Sequence, residues 1–177
     1  MPSVLRPTNL WVFLRKNLKI PAISLKESAY KTFVRPILEY ACTVWDPHTQ
    51  DNITKLEAVQ RRAARFVVNR YHNTSSVTDM LNQLQWPSLQ HRRKVARLVM
   101  LRKIINNEAV VNKDCIKTAP FRQRRKHSQQ LNLIQCRTAY RQNSFFPKTI
   151  RDWNELPETA VTAETLETFK ARVPITY

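Results

Sequence analysis

The chain has 177 residues and no glycine among them. A protein of this length ordinarily carries about a dozen, because glycine makes up roughly 7% of average sequences. Glycine enters left-handed backbone conformations at little steric cost, and loops that surround a nucleotide phosphate depend on it. A P-loop and a dinucleotide-binding fingerprint are therefore excluded, as is the Asn-Gly hairpin turn. We expect a helical binding module whose helices end at Pro, Asn or Ser.

The second constraint is the formal net charge of +17, from 30 Lys and Arg against 13 Asp and Glu. No acidic residue lies between Asp79 and Glu108, or between Asp114 and Asp152. Long blocks of one sign are typical of a surface for a polyanionic partner or of a flexible tail. We therefore expect a nucleic-acid partner and no small-molecule substrate.

Membrane, secretory and metal-binding classes are not indicated. No apolar run approaches the roughly 18–20 residues of a membrane span, and the first residues lack the apolar stretch of a signal peptide. Three distant cysteines predict reduced thiols and a nuclear or cytoplasmic location, with Cys42 in the core. No Cys–His spacing matches a zinc site, so we expect no metal and no cofactor.

Hydrophobic periodicity predicts helices through most of the first 106 residues. They begin with 10–18, continue from Ser24 toward Val44, and then cover 53–68, 76–84 and 87–106. Ser24 and Glu27 have the spacing of a capping box, and Pro36 should kink or split the helix that follows. The predicted apolar face of that helix consists of Leu25, Ala29, Phe33, Ile37, Ala41 and Val44.

The periodicity fades over 107–143. The alternation at Leu131 and Leu133 allows a short strand or a hairpin there. The periodicity returns in a helix from Ser144 to Pro157 and in a last helix that starts at Thr162. The predicted fold class is mainly α, a helical bundle with an irregular basic segment and a small C-terminal helical cap. The predicted domains are 1–106, 107–143 and 144–177.

Three basic clusters are candidate phosphate contacts, although charge on a helix is more often simply a solvated face. The candidates are Lys55, Arg61, Arg62 and Arg65 in the third helix, Arg92, Arg93, Lys94 and Arg97 at the start of the fifth, and Arg122, Arg124, Arg125 and Lys126 in a loop. The loop alternatively fits a nuclear import signal, and the basic amphipathic helix 53–68 fits binding to a membrane surface.

The sequence predicts no catalytic site in this chain. Asp152, Glu155 and Glu158 are the nearest approach to a carboxylate cluster, and we expect them to pair with nearby cations such as Lys148 and Arg151. No nucleophile motif is present. Aromatic side chains can stack on unpaired bases, but their apolar context favours core packing for Trp45, Trp86, Trp153, Phe145 and Phe146.

Five blocks resemble the C-terminal part of reverse transcriptases from jockey-type non-LTR retrotransposons. The blocks are LWVFLRKNL (10–18), ESAYKTFVRPILEYACTVWDP (27–47), ITKLEAVQRRAARFV (53–67), LQWPSLQHRR (84–93) and SFFPKTIRDWNELP (144–157). The last block is the most specific of the five. The chain departs from the family at Val12, where glycine is common.

The resemblance implies a thumb followed by a basic C-terminal extension, in a parent enzyme that is an RNA-directed DNA polymerase. The family's Tyr-x-Asp-Asp turn, which holds the two catalytic metal ions, has no counterpart in this sequence. The expected function is therefore non-catalytic: gripping a primer–template through phosphates, with the polymerase palm as a missing packing partner. An inactive remnant of a retroelement is the alternative.

Overall fold

A computed structural model describes residues 16, 22–72, 75–120 and 126–174, and the described part is mainly helical, as predicted. The helices are α1 (Ile23–Ala29), a π-helical segment (Tyr30–Val34), α2 (Arg35–Glu39), α3 (Gln50–Val68), α4 (Val77–Gln83), α5 (Leu89–Ile105), α6 (Ala139–Gln142), α7 (Phe145–Asn154), α8 (Glu158–Val161) and α9 (Leu166–Arg172). Apart from Lys16, the helix predicted over 10–18 lies outside the described residues. None of the described helices is long and apolar enough to cross a membrane.

The residues group into two compact units. The first contains Met1–Tyr40 and Pro47–Gln90, and the second contains Ala41–Asp46 and His91–Tyr177. The sequence-based division after residue 106 therefore differs from the observed one. The division falls inside α5 because Leu98 and Leu101 of that helix belong to the core of the second unit.

The segment around Pro36 is split, as predicted, and the split takes the form of a π-helical segment between α1 and α2. Proline has no N–H to donate to the preceding turn, and a locally widened turn accommodates that loss. The predicted apolar face is only partly correct: Ala29 is buried, but Leu25, Phe33 and Val44 are exposed. The other buried side chains of this segment include Lys26, Tyr30, Val34 and Leu38. Lys26, Tyr30, Val34 and Leu38 recur every four residues, as the predicted positions do, but they lie one position further along the chain. The pattern therefore gave the right spacing and the wrong face, since a hydrophobicity pattern does not select a lysine.

The predicted Ser24–Glu27 capping box is also absent, because α1 begins after Ala22 without a side-chain cap. Glu27 instead accepts a hydrogen bond from Trp86 Nε1 at 3.1 Å and pairs with Lys31 at 2.5 Å. These two donors hold the pKa of Glu27 below its ordinary value. The indole of Trp86 stacks on Tyr30 with ring centroids 4.4 Å apart, which joins this segment to the rest of the first core.

Helix α3 supplies the other wall of the first core through Ala63, Ala64, Phe66 and Val67. Two of its polar side chains hold the chain where α5 begins. Gln60 Nε2 donates to the carbonyl of Pro87 at 2.9 Å, and the Glu57 carboxylate accepts the N–H of Gln90 at 2.9 Å. A carboxylate is favourable there because the first N–H groups of a helix lack partners inside it.

The second core is built around Trp153, which is fully buried on α7. Its indole N–H donates to the carbonyl of Gln129 at 2.9 Å, and its ring contacts His127 and Phe169. Ile150 and Trp153 lie on the predicted apolar stripe of this helix. Two C-terminal boundaries differ from expectation: a short helix, α8, follows Pro157, and the last helix starts at a Thr165–Thr168 capping box rather than at Thr162.

In the described part of the irregular segment, Thr118 and Leu131 form an antiparallel bridge. This is the region in which the sequence allows a short strand or a hairpin. Asn154 fixes the far side of that bridge, since its side-chain amide donates to the Leu131 carbonyl at 2.8 Å and its oxygen accepts the Leu131 N–H at 2.9 Å. The amide thus occupies the position of a neighbouring strand, and the backbone polar groups of Leu131 are satisfied without a sheet.

Several helices end in a left-handed residue although the chain has no glycine. Asn69, Gln85 and Asn107 follow α3, α4 and α5 with φ of 58°, 54° and 63°. In each case the next N–H reaches back five residues, as from Trp86 to the carbonyl of Leu81 at 2.9 Å. This is the Schellman arrangement, in which glycine is the usual left-handed residue. Asn tolerates the conformation better than most residues, so Gln85 carries more strain than the two asparagines.

We therefore expect Gln85→Gly to stabilise the first unit. Glycine releases the left-handed strain of the folded state, which stabilises by about 1–2 kcal/mol. It also raises the conformational entropy of the unfolded chain, which destabilises by about 0.4–1 kcal/mol. The net rise in the free energy of unfolding should be about 0.5–1 kcal/mol, measured by urea denaturation. Gln83→Gly is the matched control within right-handed α4 and should lower the same quantity by a similar amount. A loss of stability in Gln85→Gly would contradict this account.

Candidate nucleic-acid interface

One face of α3 carries the clearest exposed cationic surface. Arg61 and Arg62 are exposed and Arg65 is half-buried, while Ala63, Ala64 and Val67 on the other side lie in the core. Within the described residues, no carboxylate lies within ion-pair distance of any of the three guanidinium groups. We call these three residues the arginine face.

Lys55, predicted with this group, differs from it electrostatically. Its ammonium group pairs with Asp51 at 2.5 Å, one turn earlier on the same helix, and both side chains are exposed. Because the pair is locally neutral, Lys55 adds little to the attraction of an anion. The arginine face therefore begins at Arg61, six residues further along the helix than Lys55.

The three arginines are close enough to repel one another. Residues three and four apart on a helix have Cβ atoms about 5–6 Å apart, and like charges at that spacing cost about 0.2–0.5 kcal/mol per pair. Arg61–Arg65 and Arg62–Arg65 both have such spacing. A polyanion relieves this repulsion, and guanidinium groups bind phosphate oxygens in a bidentate manner.

The second predicted cluster, at the start of α5, is corrected by the structure at two positions. Arg93 and Arg97 have only 2% and 4% of their surface exposed. Both guanidinium groups point to the carboxylate of Asp46, and Arg97 also bonds Asp152 at 2.8 Å. Groups that are buried against carboxylates cannot follow a phosphate backbone, so Arg93 and Arg97 are structural cations.

Asp46 is the centre of this ion cluster. It accepts from Arg93 Nη1 at 3.4 Å on one oxygen, and from Arg97 and Lys148 on the other. With Asp152 the cluster has three cations and two carboxylates, a net charge of +1. The predicted pairing of Asp152 with Lys148 or Arg151 was wrong: Lys148 pairs with Asp46, and Arg151 donates to the carbonyls of Pro147 and Gln142.

The remaining predicted cations are distributed between partly buried and exposed positions. Arg92 and Lys94 are half-buried on α5, where burial and these two cations lower the pKa of His91. Lys126 is exposed, and Arg122, Arg124 and Arg125 lie outside the described residues. The loop is attached directly after Lys126, because His127 is buried beside Trp153 and Ser128 donates twice to Glu158 at 2.7 Å.

The acidic residues near the C-terminus are used for structure. Asp152 pairs with Arg97, and the hydrogen bonds from Ser128 lower the pKa of Glu158. In the described part of the chain, no group of three His, Cys, Asp or Glu side chains is arranged to hold a metal ion.

The aromatic side chains follow the core-packing prediction except at one position. Trp86 and Trp153 are buried, and Phe145 and Phe146 are partly buried and in contact with each other. Trp45 is instead 44% exposed, with the guanidinium of Arg93 lying over its ring at 4.2 Å from the centroid. A cation beneath an indole stabilises the ring's position at the surface.

Sequence reasoning missed Asp46 and Lys148, which complete the ion cluster. The signal available was the absence of any acidic residue within the basic block 80–107, since buried arginines need a carboxylate from elsewhere in the chain. Nothing in the local pattern selects Asp46 from the other acids, because the pairing joins residues 51 and 102 positions apart.

Comparison with known proteins adds one relative. The chain is 31% identical over 87 residues to an uncharacterized protein of Caenorhabditis elegans, and the match covers 49% of this chain and 44% of that protein. The chain thus matches less than half of the length of the worm protein. No family model matches the chain, and no solved structure matches it.

The ion cluster predicts that Asp46→Asn lowers the free energy of unfolding by a large amount. Neutralising this carboxylate leaves Arg93 and Arg97 buried, with Asp152 as the one remaining carboxylate of the cluster. Breaking a buried ion pair costs about 3–5 kcal/mol. We expect a loss of this size in the free energy of unfolding. Asp51→Asn is the matched control in the exposed pair with Lys55 and should cost less than about 1 kcal/mol. Equal losses in a denaturant titration of the two variants would refute the structural role of Asp46.

Proposed function

We propose that this chain binds nucleic acid through phosphate contacts made by the arginine face. The observation that carries the proposal is the cluster of Arg61, Arg62 and Arg65 without a carboxylate partner among the described residues. A surface that serves only solubility mixes both signs, as the Lys55–Asp51 pair does nearer the start of the same helix. Contacts of this kind position a protein on nucleic acid and carry little base selectivity.

We also propose that the chain derives from the C-terminal region of a non-LTR retrotransposon reverse transcriptase. The support is the resemblance of five sequence blocks in their order. In such an enzyme the chain is a non-catalytic part that grips the primer–template duplex, with the polymerase palm as its packing partner. Genomic DNA upstream of the coding sequence tests this origin: an intact or decayed palm, with its Tyr-x-Asp-Asp turn, is expected. Unrelated coding sequence there would contradict it.

The binding proposal is tested by a salt series with a triple variant. Each phosphate contact contributes about 0.9 to the slope of log affinity against log salt on duplex DNA. Replacing Arg61, Arg62 and Arg65 together by Gln should lower that slope by about 2–3 and weaken binding at low salt. Glutamine keeps nearly the helix propensity of arginine, so circular dichroism should be unchanged.

The matched control replaces Arg137, Arg141 and Arg172 by Gln. All three are exposed arginines of the second unit, so the change in net charge is identical. The control should retain most of the slope. If both triple variants lose the same slope, binding depends on net charge alone and the arginine face has no special role.

Two competing functions give different results in the same assays. A membrane-surface protein would sediment with anionic vesicles and fail to retain oligonucleotides. An inactive remnant would show neither interaction and would aggregate, since apolar surface that once faced a partner remains exposed. Retention of oligonucleotides with a steep salt dependence supports the proposal against both.

A further inference from the structure

The exposed indole of Trp45 carries an inference that rests on the proposed function and specifies its substrate. The ring is covered on one face by Arg93, which is itself 2% exposed. Trp45 still exposes 44% of its residue surface, and Arg93 lies over one face of its ring. In the described part of the chain, no other ring stacks on it.

The ring is held in place from several directions. The N–H of Trp45 donates to the carbonyl of Ala41 at 3.0 Å, within a turn that begins at a left-handed residue, φ 49°. Its own carbonyl accepts from Arg93 Nη1 at 3.5 Å, and the next residue, Asp46, is held by three cations. Because the ring is already fixed, a ligand that stacks on it loses little conformational entropy from the protein.

The ion cluster beside Trp45 has more cations than acids among its five side chains, although it contains Asp46. Asp46 is neutralised by Arg93, Arg97 and Lys148, and the cluster that includes Asp152 retains a net charge of +1. This charge attracts an anionic ligand toward the open ring face. An uncharged apolar protein surface would gain nothing from it.

We propose that Trp45 is a stacking platform for an unpaired nucleobase, so that the chain prefers single-stranded segments to uniformly paired duplex. A base placed on the open face completes a sandwich of guanidinium, indole and base. Stacking of this kind tolerates any sequence, because every base has a π face. Duplex bases are already stacked on one another and cannot occupy the platform without unpairing.

The test compares two single-stranded oligomers with the same phosphates. One is a dye-labelled oligothymidylate of 12 nucleotides, and the other is an abasic oligomer of equal length. Alanine substitution of stacking aromatics reduces affinity by about 5- to 150-fold per base. Fluorescence anisotropy at fixed salt should therefore show the wild-type chain binding the oligothymidylate at least five-fold more tightly.

Substitutions then assign the difference to the ring. Trp45→Ala should bring the affinity for oligothymidylate down to that for the abasic oligomer, and Trp45→Phe should keep most of the preference. Val44→Ala is the control, since Val44 is adjacent, 85% exposed and has no π face. The wild-type comparison stands by itself if Trp45→Ala proves unstable.

Each result has a defined meaning. Equal affinity of the wild-type chain for both oligomers overturns the stacking platform and leaves the phosphate-binding proposal intact. Failure to bind either oligomer overturns both. Self-association that Trp45→Ala abolishes, without any preference for the base-containing oligomer, identifies a second copy of the chain as the occupant and also overturns the inference.

Discussion

The ion cluster around the carboxylate of Asp46 is the interaction on which the second unit depends. The carboxylate accepts from Arg93 and Arg97 of α5 and from Lys148 of α7, and Arg97 connects the cluster to Asp152. These contacts join a turn at 41–46 to two helices that are far away in the sequence. Buried cations of this kind are tolerable only with paired carboxylates, so each member of the cluster needs the others. The same contacts hold Trp45 at the surface.

The cluster also changes the meaning of the chain's charge. A large positive charge invites the assumption that every basic block faces a polyanion, yet several cations here serve packing. Arg93 and Arg97 are buried, and Arg102 donates to carbonyls at 163–165 while lying over the ring of Phe169. The cations that remain open to an anion include the arginine face of α3. Net charge therefore indicates a class of partner, and burial decides which residues can meet it.

Three residues of the block SFFPKTIRDWNELP have clear structural roles in the second unit. Asp152 pairs with Arg97, Trp153 fills the second core, and Asn154 replaces a neighbouring strand beside Leu131. None of these three roles requires chemistry on a substrate. The most specific residues of this block therefore hold the second unit together.

Much of the fold was predictable from local pattern. The helices over 50–68, 77–83, 89–105 and 145–154 appear close to where periodicity, caps and prolines place them. Prediction failed on the buried face of the segment that contains Pro36: Lys26, Tyr30, Val34 and Leu38 are buried, one position further along than Leu25 and Phe33. A hydrophobicity pattern does not select a lysine as a buried residue. Of the predicted site residues that the structure describes, Arg61 and Arg62 are exposed and Arg65 is half-buried. Helix geometry places the three on one face, because residues three and four apart are neighbours.

The sequence by itself determined that this chain is helical, strongly basic and without glycine-dependent phosphate loops, because composition and periodicity act locally. The absence of glycine is also met locally, because Asn and Gln take the left-handed positions that end three helices. Only the tertiary structure decided which cations are surface and which are core, and that Trp45 is exposed with Arg93 over one face of its ring. Those outcomes depend on a carboxylate some 50 to 100 residues away from its partners, and no local pattern specifies a contact over that distance.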